Sequence, residues 1–389
     1  MNVLVFSHRT DLHGPTEAFC GWLRAQKISH TLVQFPFYYC ADNRITITTW
    51  SAPDNREEKE VYSGHLDGQW SCIMRDIFYC WIIFPALLFR KKFDVSLGLN
   101  PINVIGSVIC KWLRVADRNI SWTIDWEKSR FGNSVANKIY HSLDYAGLSF
   151  CDDVWVISKK IKRIRMSQLK VPSTMIEVVP VCVSSSDIRQ AAPDADYTIQ
   201  TESPLRVALV GAVAPSKGVG QILDAFNTDR LSGLPVELVV IGSIPDATED
   251  GAKFPPYRRL MDGMSNVTYI GALDRSRLLE VLDSCQVGLS LHSKTSFSRW
   301  ADPSRVYDYA ARGLAIIVNS STEVGGRVQR FNNGVLIDKS VESLVSAIDH
   351  YLQSPDLLSL HRNNSLQFIE SRTDDLVYRS ALNRLVSVK

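Results

Sequence analysis

The chain has 389 residues, of which 45% are hydrophobic and 22% charged, and its formal net charge is +2. This length suits two domains of about 150–200 residues each, and so small a net charge argues against nucleic acid as the main partner. The eight cysteines are scattered, mostly within apolar runs and without a C-x-x-C pair. We therefore predict reduced, buried thiols in a cytoplasmic protein and no zinc motif.

The first half predicts alternating strands and helices, beginning with an apolar run at residues 2–7 that leaves no room for a signal peptide. A loop with His8, His13 and Gly14 follows, and Pro15 is placed to begin a helix. Further strands are predicted at 31–35, 44–50, 93–97, 120–124 and 154–157, helices at 70–89, 102–113, 134–150 and 159–168, and a polar loop with some helix at 51–69.

Two basic segments of the first half suggest contact with a membrane. Residues 77–89 form the longest apolar run, which Pro85 interrupts and which is too short to span a bilayer. It leads into three cations at 90–92, and a second basic run occupies 159–165. Apolar residues beside clustered cations are typical of a surface that binds anionic lipid, here the inner face of the plasma membrane. The alternative is a core helix and a solvated basic helix.

A change in composition marks the boundary between the predicted domains. Small polar residues dominate 185–204, which we interpret as a linker between an acceptor-binding domain at 1–184 and a donor-binding domain at 205–372. A C-terminal helix at 373–389 could pack back on the first domain. The pair Asp194 and Asp196 imitates a metal-binding D-x-D motif but follows no strand, so we predict no metal site.

After the linker the alternation of strands and helices begins again. Strands are predicted at 205–210, 236–241, 267–270, 287–291, 315–318 and 335–337, and helices at 217–226, 257–264, 277–283, 304–312, 341–352, 356–371 and 375–387. Two such runs imply an α/β protein with two Rossmann-like, doubly wound parallel sheets. Ligands bind at the carboxyl ends of the strands in such sheets, so the cleft between the two domains is the expected site.

One strand–loop–helix unit, at residues 205–226, is a candidate anion site. Gly211 ends the strand, and Lys217 with Gly218 opens the helix, where amide groups and the helix dipole attract an anion and Lys217 supplies a countercharge. The order Lys-Gly is not that of a P-loop, and the glycine spacing is not G-x-G-x-x-G. The alternative is an ordinary βα unit with a solvated lysine.

A second candidate stretch occupies residues 302–314. Ser304 stands at a predicted helix start, Arg305 lies in the first turn, and Asp308 follows three residues later on the same face. An arginine there suits a phosphate group, and a carboxylate one turn deeper suits ribose hydroxyls. The alternative is an ion pair between the two on a solvated face.

Four motifs in this order make the sequence resemble the GT-B glycosyltransferases, most of all the type called glycosyl transferases group 1. They lie at 207–218, 238–242, 267–271 and 303–313, and a weaker likeness rests on 94–101, 153–158 and 176–180. The resemblance implies a metal-independent glycosyltransferase without a cofactor. It would move a sugar from a nucleotide-sugar donor, a UDP- or GDP-sugar above all, to a saccharide or lipid-linked saccharide in cell-surface polysaccharide or glycan synthesis.

The resemblance also assigns roles to single residues of the donor site. It implies that Lys217 contacts the donor diphosphate, that Asp308 holds the ribose, and that Gly14 faces the phosphates. It further implies that the backbone of the turn Gly271, Ala272 and Leu273 meets the base.

Two positions depart from the family pattern. The arginine that often follows the first strand's glycine is Ala212 here, and the first glutamate of the E-x7-E pair is Trp300. Arg305 could restore the missing positive charge. The lost glutamate leaves open whether the chain retains or inverts the configuration of the sugar.

The predicted chemistry needs cations for the departing diphosphate and an acceptor for one proton. Lys217, Arg305 and the helix starts at Gly14 and Ser304 meet the first need. Asp125, directly after a predicted strand, is the candidate general base of an inverting reaction.

Other readings of these residues stay open. Asp125 would orient the acceptor in a retaining reaction, or else would cap a helix or pair with Arg130. His13 is a second catalytic candidate, because the family often uses a histidine of the first domain near the sugar. For the whole chain, the alternatives are a sugar-nucleotide 2-epimerase of the same fold and a non-catalytic partner subunit.

Overall fold

The computed structural model describes residues 1–9, 14–37, 42–51, 55–64, 66, 69–131, 133–169, 175–190, 203–244, 255–292 and 302–387. The chain divides into two compact units. Unit 1 comprises Met1–Pro180 together with Val377–Lys389, and unit 2 comprises Val181–Leu376. The described parts of the predicted linker, 185–190 and 203–204, thus belong to unit 2.

Unit 1 is built on an eight-stranded sheet. Its strands are β1 (Asn2–Arg9), β2 (Ser29–Pro36), β3 (Ile45–Ser51), β4 (Asn55–Tyr62), β5 (Phe93–Leu99), β6 (Ala116–Thr123), β7 (Asp153–Val156) and β8 (Ile176–Val178). They lie in the order β4–β3–β2–β1–β5–β6–β7–β8. Strand β3 is antiparallel to both of its neighbours, whereas the remaining pairs are parallel. The chain turns from one side of β1 to the other between β4 and β5, which makes β1 and β5 the topological switch point.

Helices pack on the sheet of unit 1. They are α1 (Pro15–Ala25), α2 (Gln69–Phe78), a π-helical turn (Tyr79–Ile83), α3 (Phe84–Leu88), α4 (Asn100–Trp112), α5 (Ser134–Ser149) and α6 (Lys159–Leu169). Phe6 packs on Phe84 of α3, while Trp122 and the C-terminal Tyr378 pack against Phe19 of α1. The central strands β1, β5 and β6 are therefore buried along most of their length, as in other parallel sheets that are covered by helices.

The prediction of a loop with some helix at 51–69 is wrong for β4, which is an edge strand. Its central residues 57–60 read Glu-Glu-Lys-Glu and are exposed, and it pairs only with β3. Such an edge strand pairs on one side only, and its charged side chains protect the other side from further pairing. Apolar alternation, the pattern on which strand prediction depends, is therefore missing there.

The helical stretch before β5 agrees with the predicted helix at 70–89, since α2, the π-helical turn and α3 together cover Gln69 to Leu88. The helical residues continue through Pro85, and the π-helical turn lies just before this proline. Such turns are a common way for a helix to accommodate a proline ring. Within the described residues, Trp70–Leu88 is the one helical segment whose length and composition would allow it to cross a membrane, and 39% of it is buried. Core helices of soluble proteins can satisfy the same criterion.

Unit 2 is built on a six-stranded, parallel sheet. Its strands are β9 (Leu205–Val210), β10 (Val236–Ile241), β11 (Val267–Gly271), β12 (Val287–Ser290), β13 (Ala315–Asn319) and β14 (Gly334–Ile337). They lie in the order β11–β10–β9–β12–β13–β14, so the switch point lies between β9 and β12. The two α/β sheets confirm the predicted fold class.

The helices of unit 2 agree with the prediction except at two places. They are α7 (Val219–Phe226), α8 (Asp229–Ser232), α9 (Tyr257–Asp262), α10 (Arg275–Asp283), α11 (Ser304–Ala311), α12 (Glu323–Phe331), α13 (Val341–Gln353) and α14 (Pro355–Glu370), and α15 (Asp374–Ser387) continues into unit 1. The short α8 and α12 were not predicted. The adjacent Gly325 and Gly326 conceal α12, because glycine is a poor helix former.

The described cysteines have the predicted state. Seven of them are free thiols with buried side chains, and Cys40 lies outside the described residues. The cytoplasmic location stays a prediction.

Candidate functional site

Three glycines end neighbouring strands of the sheet in unit 2. Gly211 follows β9, Gly242 follows β10 and Gly271 ends β11. Their φ values are +116°, +150° and +91°. A Cβ atom on Gly242 would lie 1.9 Å from the carbonyl oxygen of Gly211, and the Gly242 amide donates to the carbonyl oxygen of Gly271 at 2.8 Å. Side chains are thus excluded from this edge of the sheet, which leaves its backbone open to a ligand.

Arg305 lies at the switch point of unit 2. Its Nη1 donates to the carbonyl oxygen of Val210 at 3.1 Å, its Nη2 to that of Leu291 at 2.9 Å, and its Nε to Ser290 Oγ at 3.1 Å. The side chain is buried, and burial lowers the pKa of its guanidinium. The sequence predicted that Arg305 would point outward on one face with Asp308. Instead, it turns inward and fixes a positive charge beneath the ends of β9 and β12.

Lys217 stands beside this fixed charge. It ends a 3-10 turn at Pro215–Lys217, and the left-handed Gly218 then begins α7. A Cβ atom on Gly218 would lie 3.0 Å from Leu291 Cβ, so the turn packs closely on the end of β12. Burial, with a smaller contribution from the Arg305 charge, lowers the pKa of Lys217 to about 8. No carboxylate of the described residues is among the groups that shift this pKa.

Two further side chains, His292 and Lys339, lie near this electropositive region. His292 follows β12, and its amide donates to Asn319 Oδ1 at 2.7 Å. Burial and then the charges of Arg305, Lys217 and Lys339 lower the pKa of His292 to about 3. His292 is therefore neutral at physiological pH, while its buried Nε2 has no hydrogen-bond partner among the described residues. Lys339 must lie near enough to contribute to the same positive potential.

Asp308 takes part in an ion-pair network with an arginine that the sequence analysis missed. Arg275, in the first turn of α10, donates from Nη1 to Asp308 Oδ1 at 2.7 Å and from Nη2 to Asp187 Oδ2 at 2.8 Å. Asp308 therefore pairs with Arg275, so the alternative of an ion pair between Arg305 and Asp308 is wrong. Nearby, Ala272 and Ser304 are exposed and Leu273 is half-buried at the same edge.

Unit 1 has a cavity of about 120 Å³ at its own switch point. Its lining combines the ends of β1, β5 and β6 with the start of α1 and includes His8, Gly14, Glu17, Asn100, Asp125 and Arg130. Gly14 caps α1, and its amide donates to Glu17 Oε2 at 3.1 Å. The Glu17 carboxylate thus accepts the backbone N–H of Gly14, the group that was expected to face the phosphates of the nucleotide sugar. The polar groups among these lining residues could hydrogen-bond a hydroxylated ligand.

His8 is held by a network at this cavity. Its Nε2 lies 2.9 Å from Asp76 Oδ2, and its Nδ1 lies 2.6 Å from Asn100 Nδ2 and 3.1 Å from Asn103 Nδ2. The backbone N–H of Asn103 donates to Asn100 Oδ1 at 3.3 Å, which directs the side-chain nitrogen of Asn100 toward the ring. These contacts assign the Nε2–H tautomer to His8. Asn100 holds a positive φ of +68°.

Asp125 lies at the rim of the same cavity, two residues after β6. Its Oδ1 pairs with Arg130 Nη2 at 2.6 Å. Arg130 in turn lies over the ring of Tyr140, 5.2 Å from its centroid. The alternative that Asp125 is a partner of Arg130 thus agrees with the geometry, while its other oxygen leaves a role toward an acceptor open. His13 and Trp300 lie outside the described residues.

The structure adds residues that the sequence analysis did not select. Arg275 follows the predicted base-binding turn by two positions, so its place in the chain was a usable signal. Lys339 lies two residues after β14 of unit 2, and Asn100 directly follows β5 of unit 1. Each is thus at the carboxyl end of a strand in its own sheet, which is another positional signal. Nothing in the sequence, by contrast, indicated that Asp76 of α2 would reach His8.

No metal centre is evident in the described part of the chain, where no three His, Cys, Asp or Glu side chains are grouped for one. Asp194 and Asp196 lie outside that part. Whether the reaction uses a metal is therefore a matter for experiment.

Comparison with known proteins gives relatives by structure alone, since no family model and no curated protein matches the sequence. The chain is similar to a sucrose-phosphate synthase from Thermosynechococcus elongatus, with a TM-score of 0.74, 13% identity and 100% of both chains covered. It is also similar to HepE from Anabaena in complex with UDP, with a TM-score of 0.70, 11% identity and 100% of both chains covered. HepE in complex with UDP-glucose gives a TM-score of 0.68 at 10% identity and the same coverage.

A third similar protein is WaaG, a glycosyltransferase involved in lipopolysaccharide biosynthesis. Its TM-score is 0.65 and its identity 12%, with 98% of both chains covered. These structures share the GT-B fold, and the chain described here has that fold as predicted. At such low identity the likeness establishes the fold and leaves the activity to the residues of the site.

Proposed function

We propose that this protein is a metal-independent glycosyltransferase, which moves a sugar from a nucleotide-sugar donor to a saccharide or lipid-linked saccharide. The observation that carries the proposal is the electropositive group at the switch point of unit 2. Lys217 and the fixed charge of Arg305 lie at a glycine-lined edge where ligands of parallel sheets bind. The UDP-glucose complex of HepE supports a donor of this class.

The positive charges suit a diphosphate leaving group. When an acceptor oxygen attacks the anomeric carbon, the bond from that carbon to the phosphate oxygen breaks and the nucleoside diphosphate carries away the electron pair. Lys217, Arg305 and the helix start at Ser304 would stabilise this developing negative charge without reorganisation. Bound diphosphate would also raise the lowered pKa of Lys217, because an anion favours the charged ammonium.

The nucleoside would occupy the neighbouring strand ends. Asp308 would accept hydrogen bonds from the ribose hydroxyls, and the backbone of Gly271, Ala272 and Leu273 would meet the base. Arg275 would position Asp308 through its ion pair. Gly14 would contact the donor only if Glu17 releases its amide, so we assign it a secondary role.

The acceptor would bind in the cavity of unit 1. Asp125 would take the proton of the acceptor hydroxyl in an inverting reaction, whereas in a retaining reaction the departing phosphate takes it and Asp125 orients the acceptor. The C-terminal half has the stronger likeness to the glycosyl transferases group 1, which mostly retain the configuration of the sugar. This likeness favours a retaining reaction. His13 stays a candidate beside the sugar.

The experiment that tests the function is incubation of the purified chain with UDP- and GDP-sugars, with and without a chelator, followed by identification of every product. Transfer requires release of a nucleoside diphosphate that depends on an acceptor and continues with the chelator present. A changed sugar that remains bound to its nucleotide would instead establish a 2-epimerase. Donor binding without turnover, over a broad acceptor panel, would favour the non-catalytic partner subunit.

A further inference from the structure

The helical segment α2–α3 of unit 1 is apolar on two opposite sides. The side chains of Cys72, Cys80, Phe84 and Leu88 are buried. Two residues before each of the buried residues Cys72, Asp76, Cys80 and Phe84, a large apolar side chain is exposed on the other side of the helix: Trp70 (62%), Met74 (63%), Phe78 (48%) and Ile82 (57%). Because two residues correspond to about 200° around a helix, the two rows face in opposite directions.

The last turn adds two exposed apolar side chains, Leu87 of α3 and Phe89 just after it, and no charged side chain lies in the exposed row. We call these six residues the apolar stripe: Trp70, Met74, Phe78 and Ile82 form one row along the helix, and Leu87 and Phe89 lie around its end. Both charged residues of the segment, Arg75 and Asp76, are buried and bonded to each other. A continuous exposed row of this kind is rare on a soluble monomer and marks an interaction surface.

Four cations lie where the apolar stripe ends. Arg90, Lys91 and Lys92 follow Phe89 directly and are exposed, and Lys92 Nζ donates to the carbonyl oxygen of Arg114, whose side chain is also exposed. We call these four residues the basic end. The nearest acid along the chain, Asp94, already accepts the amide of Asn2 at 2.6 Å.

The other basic segment of the sequence contributes less than expected. Arg165 of α6 is buried and forms an ion pair with Asp144, so the predicted run at 159–165 does not present all of its cations to solvent. The basic end is therefore the stronger source of positive charge near exposed apolar side chains.

We infer that the apolar stripe and the basic end form a membrane-docking surface, on which the helix lies in the plane of an anionic bilayer. Exposed apolar side chains would enter the boundary between head groups and acyl chains, and the cations would bind anionic head groups. A spanning helix is a poorer interpretation, because the opposite side packs in the core of unit 1. For example, a Cβ atom on Gly106 of α4 would lie 2.3 Å from Cys80 Sγ.

The charge of the surface favours a bilayer over a second copy of the chain. The basic end offers four cations and the stripe no exposed acid, so two copies would bring no opposite charge to each other. A membrane supplies the apolar phase and the negative charge together. This inference does not depend on the proposed function, although a lipid-linked acceptor would be reached at the same surface.

The test is co-sedimentation of the full chain with vesicles of phosphatidylcholine alone or mixed with phosphatidylglycerol. We expect binding to the anionic vesicles only, released by high salt. Phe78→Ser with Ile82→Ser should lower this affinity about tenfold or more, and Arg90→Glu with Lys91→Glu should lower it about 25-fold or more. A matched apolar control is Leu360→Ser, and a charge-matched control is Arg259→Glu with Arg277→Glu.

Three outcomes would overturn the inference. The first is absence of vesicle binding by the unchanged chain, and the second is equal vesicle binding by the stripe variant and its control. The third is that the unchanged chain sediments as a dimer and binds no vesicles, and that only the stripe variant is a monomer. Resistance to alkaline extraction from vesicles would indicate a spanning segment instead. An unchanged circular dichroism spectrum and an unchanged thermal melt of the stripe variant would show that it is folded, and neither measurement depends on the test of function.

Discussion

Arg305 Nη1 donates a hydrogen bond to the carbonyl oxygen of Val210, the last residue of β9, at 3.1 Å. The same guanidinium also donates hydrogen bonds at the end of β12. One buried cation thus joins β9 and β12, the two neighbouring strands of the switch point. This arrangement keeps the positive charge fixed in place before any ligand arrives. A preorganised charge of this kind stabilises a developing anion without the cost of moving.

Substitution Arg305→Lys should therefore damage both the fold and the donor site. Lysine keeps the charge but cannot reach three acceptors on two strands, and the unpaired buried groups should cost about 1–3 kcal/mol of unfolding free energy. Chemical denaturation measures this loss, and Arg277→Lys on an exposed position is the matched control. Equal stability of the two variants would contradict the assigned role.

Lys217 should lower the stability of the unliganded protein at neutral pH. Burial lowers its pKa from 10.5 to about 8, so between these values the unfolded chain binds more protons than the folded chain. The free energy of unfolding therefore rises with pH across that window, and the destabilisation caused by Lys217 is complete below pH 8.

Lys217→Met removes this cost, so the variant should melt at a higher temperature than the unchanged chain at neutral pH. The difference should shrink as pH rises toward 10.5, which thermal melts over a pH series would measure. A lower melting temperature at neutral pH, or a difference that does not vary with pH, would show that Lys217 is not an uncompensated cation.

The close contact between Gly242 and Gly211 predicts a strong effect of a single methyl group. Gly242→Ala would place Cβ 1.9 Å from a backbone oxygen at a φ of +150°, so we expect a loss of more than about 2 kcal/mol of stability. Nucleotide binding should weaken as well, because the edge must shift. Gly326→Ala is the control: its added Cβ meets no atom within 4 Å, and a gain of about 0.5–1 kcal/mol is expected in α12.

Asp125→Asn distinguishes the two reaction courses. If Asp125 is the general base, donor affinity should stay unchanged and turnover should fall about 10²–10⁴-fold, with a product anomer opposite to that of the donor. In a retaining reaction the variant should mainly raise the acceptor KM. Steady-state kinetics and NMR of the product linkage measure both quantities.

Asp117→Asn, at the other end of the same strand, is the matched control for this substitution. A retained anomer together with near-normal turnover in Asp125→Asn would remove the role of general base.

The order of elements in unit 2 could be predicted from the sequence because its strands are short apolar runs, three of which are closed by a glycine. Gly211 and Gly271 were found in this way, and the structure gives the physical reason in their positive φ values. The direction of Arg305 could not be predicted, because helical spacing specifies a face and leaves open which neighbour that face meets. The partners of Asp308 and His8 come from distant elements and were hidden for the same reason.

Unit 1 was harder to predict because its informative residues follow no apolar pattern. The exposed edge strand β4 has charged side chains at its centre, and Asp76, which bonds His8 at the cavity, lies on a helix far from His8 in the sequence. The helical segment from Trp70 was predicted as a helix, but its two opposite apolar sides became evident only when burial separated them.

The central claim is that a nucleoside diphosphate binds at the switch point of unit 2 through fixed cations. The most direct measurement is calorimetric titration of UDP, GDP, ADP and TDP and their sugars, with a chelator present, into the unchanged chain and into Lys217→Ala. The account predicts saturable binding of at least one nucleotide, and about a 10–100-fold weaker affinity of Lys217→Ala, since a charge-assisted contact contributes about 1.5–3 kcal/mol. Arg277→Ala should bind like the unchanged chain. Absence of binding throughout the panel, or equal affinity of a folded Lys217→Ala, would contradict the claim.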